Sequence, residues 1–419
     1  MWSEINYKKI SVENGFTIFN KLFLLCISYY WLLRFTTSDL RQVISEDLSY
    51  YIYIVPSAAF GLFGILYVIM TQSKFLKIPK ILILFTIVVS IVSIARNDFN
   101  TLFTVGLMSI GLITLFQVRP KISINFINII FLISIFINTI LFIMDFSIYT
   151  FIPGISSHPY LPWRISVYPS VAQGALFAMI VFLANFSFRS YRYRIPMIVV
   201  SGYMLLLSGV RTGLIAAAAG SLYAALCHSG ALQTRLSRMA FLYAAVVFFV
   251  FSIFFSDLLM LLPFADNAVF QALIFRDEGI KGFELDGQVS TAAVREWIMA
   301  QHFSAFLQSP FIGVGTFEFA NLSAGGGILA NSGTTGSEAF VTALFARIGL
   351  LAVPFFAALF FVRLPLGEEE EVLSTAFKIS LMFGMLTYGS FVNIYDIVFL
   401  LLILGIAGCI KTPERMKSA

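Results

Sequence analysis

The sequence predicts an all-α polytopic integral membrane protein with about twelve transmembrane helices. Three observations carry that prediction. Of the 419 residues, 59% are hydrophobic and only 12% are charged, leaving too few polar side chains to cover a water-facing surface. Apolar runs of roughly 17–25 residues recur from end to end, each long enough to cross a bilayer core as a helix. Basic residues alternate from loop to loop, as they do when successive loops fall on opposite sides of a membrane.

Taken in order, the first five spans are expected at about 16–36, 48–70, 81–95, 101–117 and 126–148. The next four fall at about 168–187, 195–210, 212–228 and 239–256, and the last three at about 337–362, 372–390 and 395–410. The chain therefore divides into residues 1–255 with nine spans, a long loop at 256–336, and residues 337–419 with three spans and a tail. The first apolar run lacks an A-x-A-like cleavage site and is read as a retained span. Cys26, Cys227 and Cys409 lie far apart, in or beside spans, so neither a disulfide framework nor a CxxC metal spacing is expected.

One set of loops holds Lys74, Lys77 and Lys80; Arg119 and Lys121; Arg189, Arg192 and Arg194; and Arg235 and Arg238. Both termini join it through Lys8, Lys9, Lys411, Arg415 and Lys417, and the positive-inside rule assigns this side to the cytoplasm. The GEEEE run at 367–371 is the acidic exception there and reads as a solvated turn. The net charge of +5 reflects these loops and gives no reason to expect a nucleic-acid partner. The opposite side receives the segments around Asp39–Asp47, Arg96–Asn100, Asp145–Tyr168 and Val210–Thr212, and the long loop. That loop is too long for a plain connector.

Arginine is disfavoured on the outer side, yet Arg164, Arg211, Arg276 and Arg295 all map to it. A guanidinium fork matches phosphate geometry and stays charged, so four of them suit a lipid-borne anionic substrate. Any one of them alone could instead snorkel to headgroups or pair with an acid. Arg211, in SGVRTG between two apolar runs, sits where an unpaired charge is costly, and its flanking glycines would let backbone approach a ligand. Trp163, Tyr160 and Tyr168 beside Arg164 could stack on sugars or form part of an interfacial belt.

Arg295 opens VREWIMAQHFSAFLQ, in which Val294, Trp297, Ile298 and Phe303 predict the apolar face of an amphipathic helix lying along the membrane surface or capping the cavity. His302 is expected on its polar face. Pro310, Gly313 and Gly315 then serve as turn residues. Arg347 and Lys378 fall within spans and need partners.

These stretches, in this order, resemble the O-antigen polymerase and ligase superfamily of bacterial envelope polysaccharide assembly. SGVRTG looks like the family's Ser-x-x-Arg-Thr-Gly span start. REWIMAQHFSAFLQSPFIGVG looks like its Arg-x-x-Trp helix and Pro-x-x-Gly-x-Gly turn. SEAFVTALFARIGLL is similar to the segment that re-enters the membrane, and WRISVYPSVAQG is a looser match to an outer Arg…Pro-Asn segment. The resemblance covers roughly residues 160–355 and implies a GT-C-like architecture with short amphipathic helices in a periplasmic loop.

Ligases of the superfamily carry a histidine where the loop re-enters the membrane, and this chain has Ser337-Glu338 there. The resemblance therefore implies a Wzy-type polymerase of the inner membrane, working without cofactor or metal on undecaprenyl-pyrophosphate-linked oligosaccharide. It also implies a separate chain-length-regulating co-polymerase. The implied site is Arg211 and Arg295 on the leaving pyrophosphate, Glu338 as general base or else as a span-end anchor or ion-pair partner, and Arg164, Arg276, Trp163 and Tyr168 in binding. A flippase for lipid-linked sugars and an O-antigen ligase are the competing readings. Transporters often show internal repeats, and none is evident here.

Overall fold

The computed structural model describes residues 76–143, 151–153, 163–165, 171–208, 210–254, 291–316, 323–324, 327–328, 340–361, 364–385 and 397–412, with a few positions between 17 and 66. The helices are α1 (Lys77–Ala95), α2 (Phe99–Val118), α3 (Ile124–Ile143), α4 (Val171–Ser187), α5 (Arg194–Ser208) and α6 (Arg211–His228). They continue with α7 (Arg235–Phe254), α8 (Thr291–Gln308), α9 (Phe340–Ile348), α10 (Ala352–Phe361), α11 (Glu368–Met385) and α12 (Ile397–Ile406). Short strands pair as β1 (Ile122–Ser123) with β6 (Ile410–Lys411), β2 (Phe151–Pro153) with β3 (Trp163–Ile165), and β4 (Ser323–Ala324) with β5 (Gly327–Ile328).

Apolar runs without water must satisfy their own backbone, and the helix does so internally. Polar side chains inside these helices follow the same rule. Thr86 donates to the carbonyl of Leu82 at 2.7 Å, and Ser134 to that of Ile130 at 2.8 Å. By length and composition Lys77–Ala95, Phe99–Val118 and Phe340–Phe361 could each cross a membrane, and shorter apolar helices accompany them. This is the helix set of an integral membrane protein. The third stretch is not one straight rod, because a 3-10 turn at Gly349–Leu351 separates α9 from α10.

The core centres on α4, which packs against α3, α5, α6, α11 and α12, with Ala175 through Val181 all buried. Small residues allow its neighbours to approach closely. At the α6–α11 contact Ser380 donates to the carbonyl of Ala216 at 2.8 Å. A Cβ on Gly220 would stand 2.6 Å from Ser380 Oγ and 3.1 Å from the Ala376 carbonyl oxygen. Between α3 and α4, Asn128 and Asn185 exchange amide hydrogen bonds of 3.1 and 2.9 Å.

One end of the bundle gathers the basic loops. β1 and β6 pair in parallel, Ser123 opposite Lys411. The Leu76 amide donates to Gln117 Oε1 at 2.9 Å, and the Lys121 amide to Asn20 Oδ1 at 2.8 Å. The acidic run is not a solvated turn, which corrects the sequence expectation. Glu368 to Glu371 form the first turn of α11, where carboxylates complement the positive end of the helix dipole. Arg238 reaches Glu368 at 3.6 Å and Glu371 at 3.5 Å. Ser190 donates to Glu369 at 3.1 Å, and Lys411 meets the buried Glu370 at 2.6 Å. The exception in charge is the counter-charge of the loops around it.

A leucine at Gly220 would force α6 from α11. Overpacking of this kind costs ~1–3 kcal/mol, so Gly220→Leu should melt several degrees lower than wild type in detergent. Leu222→Ala, at a 55% exposed position on the same helix, should melt close to wild type; equal melting of Gly220→Leu and wild type would contradict the packing.

Candidate functional site

Arg211 is the first residue of α6. The chain reverses from α5 through Ser208, whose hydroxyl donates to the Leu205 carbonyl at 2.6 Å and accepts from the Val210 amide at 3.3 Å. Val210 at the N-cap supplies no side-chain cap, and the first turn of α6 holds no acid. A helix start of this kind presents backbone amides and the positive end of the helix dipole at the position of an arginine, an arrangement that favours anions. Gly213 has another use than the one expected. A Cβ there would lie 3.2 Å from Leu205 Cδ1 and 3.3 Å from Ala175 Cβ, so this glycine lets α6 pack on α4 and α5 and does not clear space for a ligand.

Arg164 and Trp163 lie on β3, opposite Ile152 and Pro153 of β2, and β3 rests against α5. Arg295 lies in α8. The side chains of Arg211, Arg164, Trp163 and Arg295 fall outside the described residues. So do Arg276, Tyr168 and Glu338 in full, and with them the side chains of Val294, Trp297 and Ile298.

The described part of the long loop shows how α8 is held. It packs along α9 through Ala305, through Phe306 (edge-on to Phe345, centroids 6.0 Å apart) and through His302. His302 is 1% exposed, and its Nδ1 lies 2.9 Å from Thr342 Oγ1. This corrects the sequence reading of His302, which is on the buried face and not the polar one; Phe303, expected on the helix's apolar face, is 52% exposed. Burial, with the charge of Arg347 nearby, depresses the His302 pKa to about 4, so the ring is neutral at pH 7 and closed to solvent.

The SPFIGVGT turn after α8 behaves as its glycines predict. Gly313 and Gly315 take φ of +71° and +82°. The Val314 and Gly315 amides donate to the carbonyls of Ala346 and Arg347 at 2.8 and 2.9 Å, and Leu350 donates back to the Pro310 carbonyl at 2.8 Å. Gly349 (φ +62°) fits the same junction, because a Cβ there would run into Pro310 and Gly313 backbone. On its other side the turn meets the α1–α2 corner. Asp98 caps α2 through the Thr101 amide at 3.1 Å and accepts from the Thr316 amide and hydroxyl at 2.6 and 2.8 Å. Arg96 donates to the Ile312 carbonyl at 2.9 Å. Partial burial would raise the Asp98 pKa, but the hydrogen bonds from Thr101 and Thr316 outweigh it and lower it. Arg347, inside the candidate span Phe340–Phe361, has Asp98 of this corner in electrostatic reach. The sequence signal for this corner is the Asp-x-x-Thr cap at 98–101.

Two outcomes check this junction. Asp98→Ala removes three charge-assisted hydrogen bonds, one of them the helix cap, a loss of ~2–4 kcal/mol, and should speed amide exchange at Val314, Gly315 and Thr316 while leaving α4 protected. The His302 pKa lies below its unfolded value of about 6.5. Its neutral form thus supports folding fully above pH 6.5, and that support drains as pH falls towards 4, by up to ~3 kcal/mol. Melting temperature should fall over that window, and less steeply in His302→Gln; identical slopes would sink the assignment.

Residues 196–338 match the family model described as O-antigen ligase (Wzy_C). The matched stretch runs from α5 through Arg211 and α8 to the Ser337-Glu338 pair. No curated protein and no solved structure matches the chain. The family match covers less than half of the chain and is a likeness to the O-antigen ligase family over that stretch.

Proposed function

We propose that the chain is a polysaccharide polymerase of the bacterial inner membrane, with both termini cytoplasmic, about twelve spans and the 256–336 loop periplasmic. The donor is the growing glycan on undecaprenyl pyrophosphate, and the acceptor is a single repeat unit on a second such lipid. The observation that carries the reading is Arg211 as the first residue of α6, behind an N-cap valine and inside the matched stretch. Charge builds on a pyrophosphate as it leaves, and cations and amides already in place stabilise it without reorganising.

In the proposed step an acceptor hydroxyl oxygen bonds to the anomeric carbon as that carbon's bond to the pyrophosphate oxygen breaks, with inversion. The lipid pyrophosphate departs with the bonding pair towards Arg211 and Arg295. The hydroxyl proton passes to Glu338. Arg164 and Arg276 hold glycan or phosphate, and Trp163 and Tyr168 offer sugar-stacking faces. A chain-length-regulating co-polymerase completes the assembly.

Two observations favour polymerase over ligase. Ser337-Glu338 stands where ligases carry histidine, and the loop's own His302 is buried against Thr342 and cannot meet an acceptor. The family model's description keeps ligase as the second reading.

The test is made in cells deleted for this chain but otherwise able to make its glycan. Wild type should restore long chains. Arg211→Ala and Arg295→Ala at matched expression should cut them by roughly 10²-fold, leaving single repeats exposed on the outer face, and Glu338→Gln should do the same. Single repeats trapped on the cytoplasmic face would make the protein a flippase. Intact polymer that fails to reach lipid A would make it a ligase.

A further inference from the structure

The buried face of α8 is accounted for by α9. Its opposite face is not. Phe303, Leu307 and Phe311 recur at intervals of four and are 52%, 60% and 73% exposed; Ile312 beside them is 40% exposed. Four-residue spacing places Phe303 and Leu307 on one side of the helix, and the following turn carries Phe311 on from them. Exposed Ser304 and Gln308 flank that row. An exposed aromatic and aliphatic row with a polar flank is costly in water.

The position of the row says what covers it. Arg96 holds the Ile312 carbonyl at 2.9 Å and reaches Ser309 Oγ at 3.4 Å, so the end of α8 is tied to the corner between α1 and α2. Both helices are long and apolar enough to cross a membrane. Both also keep an exposed apolar flank up to that corner, with Ile91 and Ile94 at 63% and 57% on α1 and Phe99 and Phe103 at 57% and 61% on α2. A flank of that kind on a spanning helix faces acyl chains. The row on α8 begins where it stops.

We propose that α8 is a membrane-surface helix. Phe303, Leu307, Phe311 and Ile312 dip into the lipid leaflet at the end opposite the basic loops, while His302, Ala305 and Phe306 hold the helix to α9. The occupant is phospholipid at the boundary between acyl chains and headgroups, where apolar helix faces of this type settle. The inference does not depend on which glycan reaction the protein carries out. It fixes the height of Arg295, which belongs to the same helix, near the headgroup plane.

The test uses the full chain in phosphatidylcholine–phosphatidylglycerol vesicles. Cysteine replaces Phe303, Leu307, Ser304 or Gln308 one at a time, in a background with the three native cysteines substituted, and each carries an environment-sensitive fluorophore. Labels at 303 and 307 should be quenched several-fold more by lipids brominated near the headgroup than by aqueous iodide, and labels at 304 and 308 should show the reverse preference. The unmodified chain supplies a second reading, since a diazirine-bearing phospholipid should cross-link within Phe303–Ile312. Iodide quenching at 303 and 307 equal to that at 308 would place the row in water. Labels at 303 and 307 reached by neither quencher, with no lipid cross-link, would mean that protein covers the row; either result overturns the proposal.

Discussion

The fold at the end opposite the basic loops depends on one backbone-to-backbone contact. The turn at Pro310–Gly315 lies so close to the α9–α10 break that neither Gly313 nor Gly349 has room for a Cβ. Only there can the amides of Val314 and Gly315 reach carbonyls that the break in α9 leaves without helical partners. A helix interrupted near lipid must satisfy those groups with protein, and this turn does so. Asp98 and Arg96 then clamp the turn from the α1–α2 corner. Loop helix, broken helix and helical hairpin are consequently one unit, joined by hydrogen bonds and not by apolar packing alone.

The other end is organised by charge. Four successive glutamates would repel one another in an isolated turn. Here they lie on the positive end of α11, and Arg238, Lys411 and Ser190 meet them from three separate segments. The exposed Arg238–Glu368 pair contributes little by itself. Lys411–Glu370, with the carboxylate 7% exposed, has more consequence, because removing either partner strands a charge at a buried position. The pairing also ties the end of α12 to the start of α11, and β6 next to it ties the same segment to the α2–α3 connection.

Hydropathy and loop charge made the helical membrane class legible, and the Pro-Gly-Gly pattern at 310–315 announced its turn. What stayed hidden has physical causes. Gly349 reads as part of an apolar span because hydropathy carries no information about φ. His302 was misplaced because a polar ring on an apolar helix reads as solvent-facing, and only its partner Thr342, 40 residues on, shows that it is buried. The acidic run was misread because its partners, Arg238 and Lys411, are 133 and 41 residues from the glutamates each one meets at 371 and 370. Of the candidate site, the sequence named the arginines. Position supplied the reason for one of them, Arg211 as the first residue of α6.

The two arginines of the proposed leaving-group site belong to elements held in different ways. Arg211 begins a helix whose first turn is pressed against α4 and α5 at Gly213, so its backbone is fixed by the core of the bundle. Arg295 belongs to α8, which is fixed by His302–Thr342, by Phe306–Phe345 and by the clamped turn at its end. Stabilising a leaving group requires donors already in place, and rigid elements meet that demand better than loop tips. The hydrogen bonds around Asp98 and the two opposed glycines are then what holds the far end of the helix that carries Arg295.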